Sequence, residues 1–294
     1  MRTQWLVNGV LAVAMPLVGC DDANVGSTGR VVLSANGGNE AREGIASSRF
    51  ADGYGVRYDH AVLSVSSFHL RTMGGERAQI EMPALVVDLI PNPQQLFEAD
   101  GIAAGRWDEV GFSSRAPDDR VENLNAPVEL VDEMVRAGYS FLQTGRLIAP
   151  DGTEIPFALG FPVEIDYFTC TSGDGTFGIV VPPNGVADAE ITWHLTHLWF
   201  DSFAEDSAFR AESVAALWDG KNPVRTEDLA RQDLGSLLGR SGMPLRDSLG
   251  NPVIYIPPQE PGVDSLRDFV LRARFAHFNG LGGFCTTEIK VAPL

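Results

Sequence analysis

The residues of this chain best suited to chemistry are its five histidines, His60, His69, His194, His197 and His277. A neutral imidazole nitrogen binds copper or zinc, and such sites often add a carboxylate. The stretch from Thr192 to Asp201 carries His194, His197 and Asp201 together. On a regular strand successive side chains alternate, so His194 and His197 point to opposite faces and share one ion only if a bulge intervenes. A single site would instead join one of them to His277, Asp201 or Glu190. The competing reading leaves all five hydrogen-bonded within the fold, with no metal.

Other chemistries find less support. There is no G-x-S-x-G elbow, no H-E-x-x-H and no P-loop, since Gly220-Lys221 is followed by Asn222. Gly173 to Gly178 matches G-x-G-x-x-G by letter, but a dinucleotide fingerprint follows a strand and opens a helix, whereas this one precedes the strand-like Ile179 to Val181 and reads as a hairpin loop. Neighbouring carboxylates at Asp118-Asp119, Glu164 with Asp166, Glu205-Asp206 and Glu227-Asp228 are expected by chance in a chain with 39 acidic residues. A glycosidase would need two of them facing across a cleft. Trp193 and Trp199 share a strand face with Ile191, Leu195 and His197, as an exposed aromatic platform or, more simply, as core. No catalytic residue is assigned, and a non-enzyme is expected. Acidic residues outnumber basic ones 39 to 22, the net charge is −17 and no basic run exists, which excludes nucleic acid as a partner.

The N-terminus carries an address. Residues 1–19 hold one basic residue, Arg2, and an apolar stretch from Trp5 to Leu17 that is too short and broken to span a bilayer. Leu17-Val18-Gly19-Cys20 resembles a bacterial lipobox, which makes 1–19 a lipoprotein signal peptide, Cys20 the acylated residue and a membrane the partner. The alternative is an ordinary secretory signal with a chance cysteine. Each buried methylene contributes about 0.8 kcal/mol, so several acyl chains anchor durably where one does not. Residues 20–29 read as a tether. The expected location is the cell envelope, on the periplasmic side or the outer surface. Outside the cytoplasm, Cys170 and Cys285 remain once Cys20 is set aside, and they pair most simply as one disulfide, the alternative being two buried thiols.

The elements that must position these residues are mainly strands. Arg30 to Ser34, Val56 to Leu70, Ala84 to Ile90, Trp107 to Ser113, Tyr139 to Ile148, Glu154 to Thr169, Thr176 to Val181 and Ala189 to Phe200 are β-branched or alternating runs. Val56 to Leu70 is long enough for a bent strand with a bulge. Asp151-Gly152 and Pro182 to Gly185 mark hairpins. Helical spacing occurs at 128–137, behind Pro127 and stopped by Gly138, at 207–217, and at 226–238 with Thr226 as N-cap and Gly239 as stop. A last helix, 265–275, opens on a capping box of Ser265 and Asp268. The expected fold is an antiparallel β-sandwich, a single domain over 30–294 with a helical insertion at about 204–240.

Four fragments, Phe50 to Asp59, Gly105 to Phe112, His194 to Phe203 and His277 to Cys285, together resemble a group of uncharacterised secreted lipoproteins of myxobacterial type. The resemblance implies no activity. In that group cysteines matching Cys170 and Cys285 recur together. An acidic EF-hand-like stretch also follows the histidine strand there, but its counterpart here, Leu217 to Asp228, keeps only Asp219 and Asp228 in ligand-like positions, so calcium is not expected. A weaker resemblance, to periplasmic copper-binding sandwich proteins of the MbnP type, rests on the strand-rich body and the histidine-bearing late strand. The leading expectation is a membrane-anchored lipoprotein acting as a binding or structural module without a cofactor. The alternative is a periplasmic copper or zinc protein using the strand histidines.

Overall fold

The computed structural model describes residues 26–80, 82–91, 93–204, 207–257, 262–279 and 283–291. The signal segment, Cys20 and most of the tether lie outside the described residues. The chain enters at β1 (Thr28–Asn36), passes α1 (Glu40–Glu43), and runs through β2 (Gly55–Val65), β3 (Ser67–Arg71), β4 (Arg77–Ile80) and β5 (Leu85–Asp88). Next come β6 (Gln94–Ala103), β7 (Gly105–Trp107), β8 (Glu109–Ser114), β9 (Glu122–Asn123) and α2 (Val128–Ala137). The central stretch is β10 (Phe141–Ile148), β11 (Glu154–Phe161), β12 (Val163–Thr171), β13 (Ile179–Val181) and β14 (Val186–Trp193). After a 3-10 turn at Leu195–Trp199 follow α3 (Glu212–Ala215), β15 (Val224–Arg225), a second 3-10 turn at Thr226–Arg231, α4 (Leu266–Val270), β16 (Ala276–Phe278) and β17 (Phe284–Val291).

The strands form three main sheets, ordered β16-β14-β1-β6, β15-β11-β10-β2-β5-β9 and β17-β12-β8-β3-β4, with β13 and β7 as a separate pair. Antiparallel pairing dominates, and the mainly-β sandwich expectation holds. Inward residues such as Phe141, Leu147, Phe161, Tyr167 and Trp193 are buried together in one core. The imperfect alternation of β2 has a physical cause. α2 covers the outer face of its sheet, so Val62 and Leu142, which point away from the main core, are buried beneath Val131 and Met134. α2 begins behind Pro127 and ends at Gly138, whose φ of 70° is the left-handed conformation that a helix stop favours.

Two long runs are not single strands. Val56 to Leu70 breaks at Ser66, whose backbone N–H bonds to Ser113, and the chain passes from the six-stranded sheet to the five-stranded one. Glu154 to Thr169 does the same at Pro162, a residue without an N–H to give to a ladder. Such corners let one strand serve both layers. The Asp151-Gly152 hairpin forms, joining β10 to β11 with Ile148 opposite Glu154. Pro182 to Gly185 is a turn, with the Gly185 N–H donating to the Pro182 carbonyl, but it closes no hairpin, because β13 pairs with β7 and β14 lies parallel to β1. The loop from Gly173 to Gly178 is a tight turn closed by a bridge between Thr171 and Phe177, and it leads into a strand, as its position implied.

The expected helical insertion shrinks to short pieces. Of 207–217 only Glu212–Ala215 is helical, with the Ala211 and Glu212 N–H groups capped by Asp52 from far along the chain. Of 226–238 only a 3-10 turn forms. The buried Thr226 hydroxyl is not an N-cap; it donates to the Gly160 carbonyl at 2.6 Å. Gln232 then grips the Ser213 and Leu238 carbonyls and the Leu238 N–H, fixing an irregular loop where a helix would carry its backbone elsewhere. The 265–275 helix keeps its capping box but ends at Val270, since the chain must extend into β16.

Cys170 and Cys285 are bonded, with Cα atoms 4.1 Å apart and a sequence separation of 115. They join β12 to the edge strand β17 at a register break flanked by the pairs Phe168–Thr286 and Thr171–Phe284. Closing a loop of about 100 residues contributes on the order of 4.7 kcal/mol in the chain-entropy model. Replacing both cysteines by alanine is expected to lower the unfolding free energy by about 4 kcal/mol, measured by denaturant titration. A loss under about 1 kcal/mol would show that β17 is held without the crosslink.

Candidate functional site

The strand bearing His194 stops at Trp193, and the geometry of that stop makes the site. Leu195–Trp199 is a 3-10 turn, in which residues three apart eclipse, so His194 and His197 project together instead of to opposite faces. Their rings stack with centroids 5.0 Å apart and planes 12° apart. β16 pairs antiparallel with β14 and sets His277 opposite Thr192, on the face that His194 continues. The His277 ring lies 4.2 Å from that of His194 and 5.6 Å from that of His197. The expectation that a strand would separate His194 from His197 is therefore corrected by the turn.

The turn is held from the core side. The buried Tyr58 hydroxyl donates to the Leu195 carbonyl at 2.9 Å and accepts from Trp199 Nε1 at 2.8 Å. Burial, the largest influence, pushes its pKa up, so it stays a neutral donor. The His194 backbone N–H bonds to the Phe275 carbonyl, tying the turn to the chain entering β16. Tyr58 belongs to this site although no spacing in the sequence marks it; its partners lie 137 and 141 residues away.

His194 and His197 are set up as neutral bases. Burial, and then the neighbouring histidines His277 and His197, lower the His194 pKa to about 3. Burial likewise lowers that of His197 to about 4, against the opposing pull of the Arg274 carbonyl. His197 Nδ1 contacts that carbonyl, so Nδ1 carries the hydrogen and Nε2 the lone pair. His194 Nε2 is buried with no hydrogen-bond partner. Neutral imidazoles with a free nitrogen and a carbonyl-fixed tautomer are what metal ligation requires. As the rings stand, no three His, Cys, Asp or Glu side chains among the described residues are turned to hold one ion.

The other sequence candidates disperse. Asp201 does not join the histidines: its carboxylate accepts from Arg210 Nε at 2.7 Å and from the Ala208 N–H at 3.0 Å, which occupies both oxygens. Glu190 lies on the outer face with Thr192, whose hydroxyl donates to it at 3.2 Å. His60 pairs with the buried Asp88 at 2.7 Å, and His69 lies beside Glu109. Trp193 and Trp199 are 0% and 1% exposed, which removes the aromatic platform. Glu164 and Asp166 share one partner, Arg115. Asp219 accepts from the Lys221 and Asn222 N–H groups, and Asp228 from the Arg225 N–H and the Arg231 side chain, so both ligand-like acids of the acidic stretch serve the loop.

The chain matches no protein-family model and no curated protein. Among solved structures, MbnP from Methylosinus trichosporium is similar at 16% identity, over 58% of this chain and 76% of that one, with a TM-score of 0.28. A likeness that loose carries no argument about a ligand. Among the described residues no helix is long and apolar enough to cross a membrane.

The depressed histidines link stability to pH. Unfolded histidine titrates near 6.5, so between that pH and about 4 the unfolded chain binds protons that the folded His194 and His197 refuse. Their contribution is complete above pH 6.5 and is lost on acidification. The metal-free protein is expected to lose stability from pH 6.5 to 4, and a His194→Asn/His197→Asn double variant to show a shallower slope in urea titrations at stepped pH. Parallel slopes would mean that these rings are not depressed.

Proposed function

We propose that this protein is a non-catalytic binding module of the cell envelope, tethered through acylated Cys20, whose histidine turn binds one copper or zinc ion. One observation carries the reading: His277, 80 residues on in sequence from His197, gathers with His194 and His197 of the turn at ring separations of 4.2 to 5.6 Å, and His194 buries an imidazole nitrogen without a partner. A buried nitrogen left unbonded costs about 1 to 3 kcal/mol, which a ligand would recover. The spacing suits ligation, because metal–nitrogen bonds of about 2.0–2.1 Å put imidazoles sharing an ion roughly 5 Å apart. Holding an ion requires the rings to rotate toward a common point from their stacked arrangement. His194 and His197 would bind through nitrogens already free of protons, and His277 would complete the set from the neighbouring strand. Glu190, on the same face, is the nearest acid by register, and Asp201 has no part. We take the ion to be cargo or a structural ligand, as no nucleophile stands beside the three rings among the described residues.

Full-length protein with Cys20→Ser, stripped with a chelator, is expected to take up one equivalent of Cu or Zn in a titration, and a His194→Ala/His197→Ala/His277→Ala variant to bind at least a hundredfold more weakly. Uptake that survives the triple change ends the reading of this site.

The tether has its own test. The wild-type chain in a bacterial host that processes lipoproteins is expected in the membrane fraction with a mass increase on Cys20, and the Cys20→Ser variant in the soluble fraction. Equal partition of the two would leave Cys20 unmodified and the anchor refuted.

A further inference from the structure

The edge strands β16 and β17 of two different sheets part beside the histidine turn, and a cleft of about 370 Å³ opens there. Its lining is apolar over much of its extent: Ile289 from the inner face of β17, Ala273 after α4, and Phe269, whose ring meets that of Phe203 at 4.9 Å. His197 and His277 also line it, so the cleft adjoins the histidine cluster without coinciding with it.

Two further features indicate what such a cleft would take. Arg272 and Arg274 both line it, in a chain of net charge −17. The exposed Arg274 guanidinium joins no ion pair among the described residues, while its backbone carbonyl is used by His197. Thr287 Oγ1, on the same lining, is buried with no hydrogen-bond partner. Small-molecule sites are apolar clefts of roughly 300–1,000 Å³ with a few placed polar groups, and this one sits at the small end. That size suits one ring or a short alkyl chain and is too small for a long acyl chain. A guanidinium over an apolar slot prefers a carboxylate, because charge-assisted hydrogen bonds are about twice as strong as neutral ones. On a strongly acidic surface, a cationic cleft is also where an anion is drawn.

We propose that the cleft between β16 and β17 binds a small amphipathic carboxylate, with the apolar part lodged against Phe203, Phe269 and Ile289 and the carboxylate on Arg274. The inference does not rest on metal at the histidines, and a protein that binds no metal can still bind the acid.

The test is calorimetric titration of the full-length Cys20→Ser protein, freed of metal by chelation, with 3-phenylpropionate, its neutral amide 3-phenylpropanamide, and propionate. The acid is expected to bind saturably, the amide about tenfold more weakly or worse, and propionate more weakly than the acid. Arg274→Gln, which changes an exposed side chain and keeps the backbone carbonyl that His197 uses, is expected to bring the acid down to the level of the amide and leave the amide unchanged. Phe203→Ala, at a residue 43% exposed, is expected to weaken acid and amide alike. No saturable binding of the acid, equal binding of acid and amide, equal binding of acid and propionate, or an Arg274→Gln protein that binds the acid as before would each overturn the proposal. Copper or zinc uptake, measured on the same preparation, reports separately on the histidine site.

Discussion

Trp193 and Trp199 both have to be inside, and much of this molecule follows from how the chain manages it. Truncating a buried tryptophan costs about 3 to 5 kcal/mol, so neither indole can be left in water cheaply. Trp193 stacks on Phe275 at 5.5 Å with planes 8° apart, and Trp199 meets Phe157 at 5.6 Å. A strand running on from Trp193 would bury Leu195, His197 and Trp199 on one face and carry His194 outward alone. The 3-10 turn instead buries Leu195, Leu198 and Trp199 and swings both histidines to the same side. The histidine pair is thus a by-product of indole packing, and Tyr58, bonded to both ends of the turn, makes the arrangement rigid.

The same packing recruits the third histidine. Phe275, held against Trp193, Phe141 and Phe161, brings the chain to β16 in the register that places His277 opposite Thr192. Eight residues later Cys285 is bonded to Cys170, which fastens β17 to β12 in its own sheet, a different sheet from that of β16. Two edge strands held apart in this way leave an opening that neither sheet closes by itself. A site built on a buried aromatic cluster and a crosslinked strand is held more firmly than one on free loops.

Features that depend on neighbours in the chain were legible in advance. Gly138 ends α2, Ser265 and Asp268 make their capping box, and Asp151-Gly152 turns a hairpin, because each needs only a few residues of local geometry. The disulfide was legible for a different reason: with Cys20 set aside as the expected lipid site, two cysteines are left to pair. Features decided by distant partners were not legible. Thr226 looks like an N-cap until its hydroxyl finds Gly160, and Gln232 looks helical until it binds three backbone groups of its own loop. Ser66 and Pro162 sit inside strand-like runs whose halves belong to different sheets, and periodicity is blind to which sheet a strand joins.

By itself the sequence determined a mainly β fold, Cys170 and Cys285 as the candidate pair, and the short roster of histidines worth watching, since composition, residue count and alternation are properties of the chain alone. Only the tertiary structure decided that His194 and His197 face the same way, that His277 joins them, that Asp201 is spent on Arg210, and that a cleft with Arg274 lies beside them. The direction a side chain faces at the end of a strand is set by what the neighbouring side chains must bury, and what can be buried depends on which distant segments arrive to cover it.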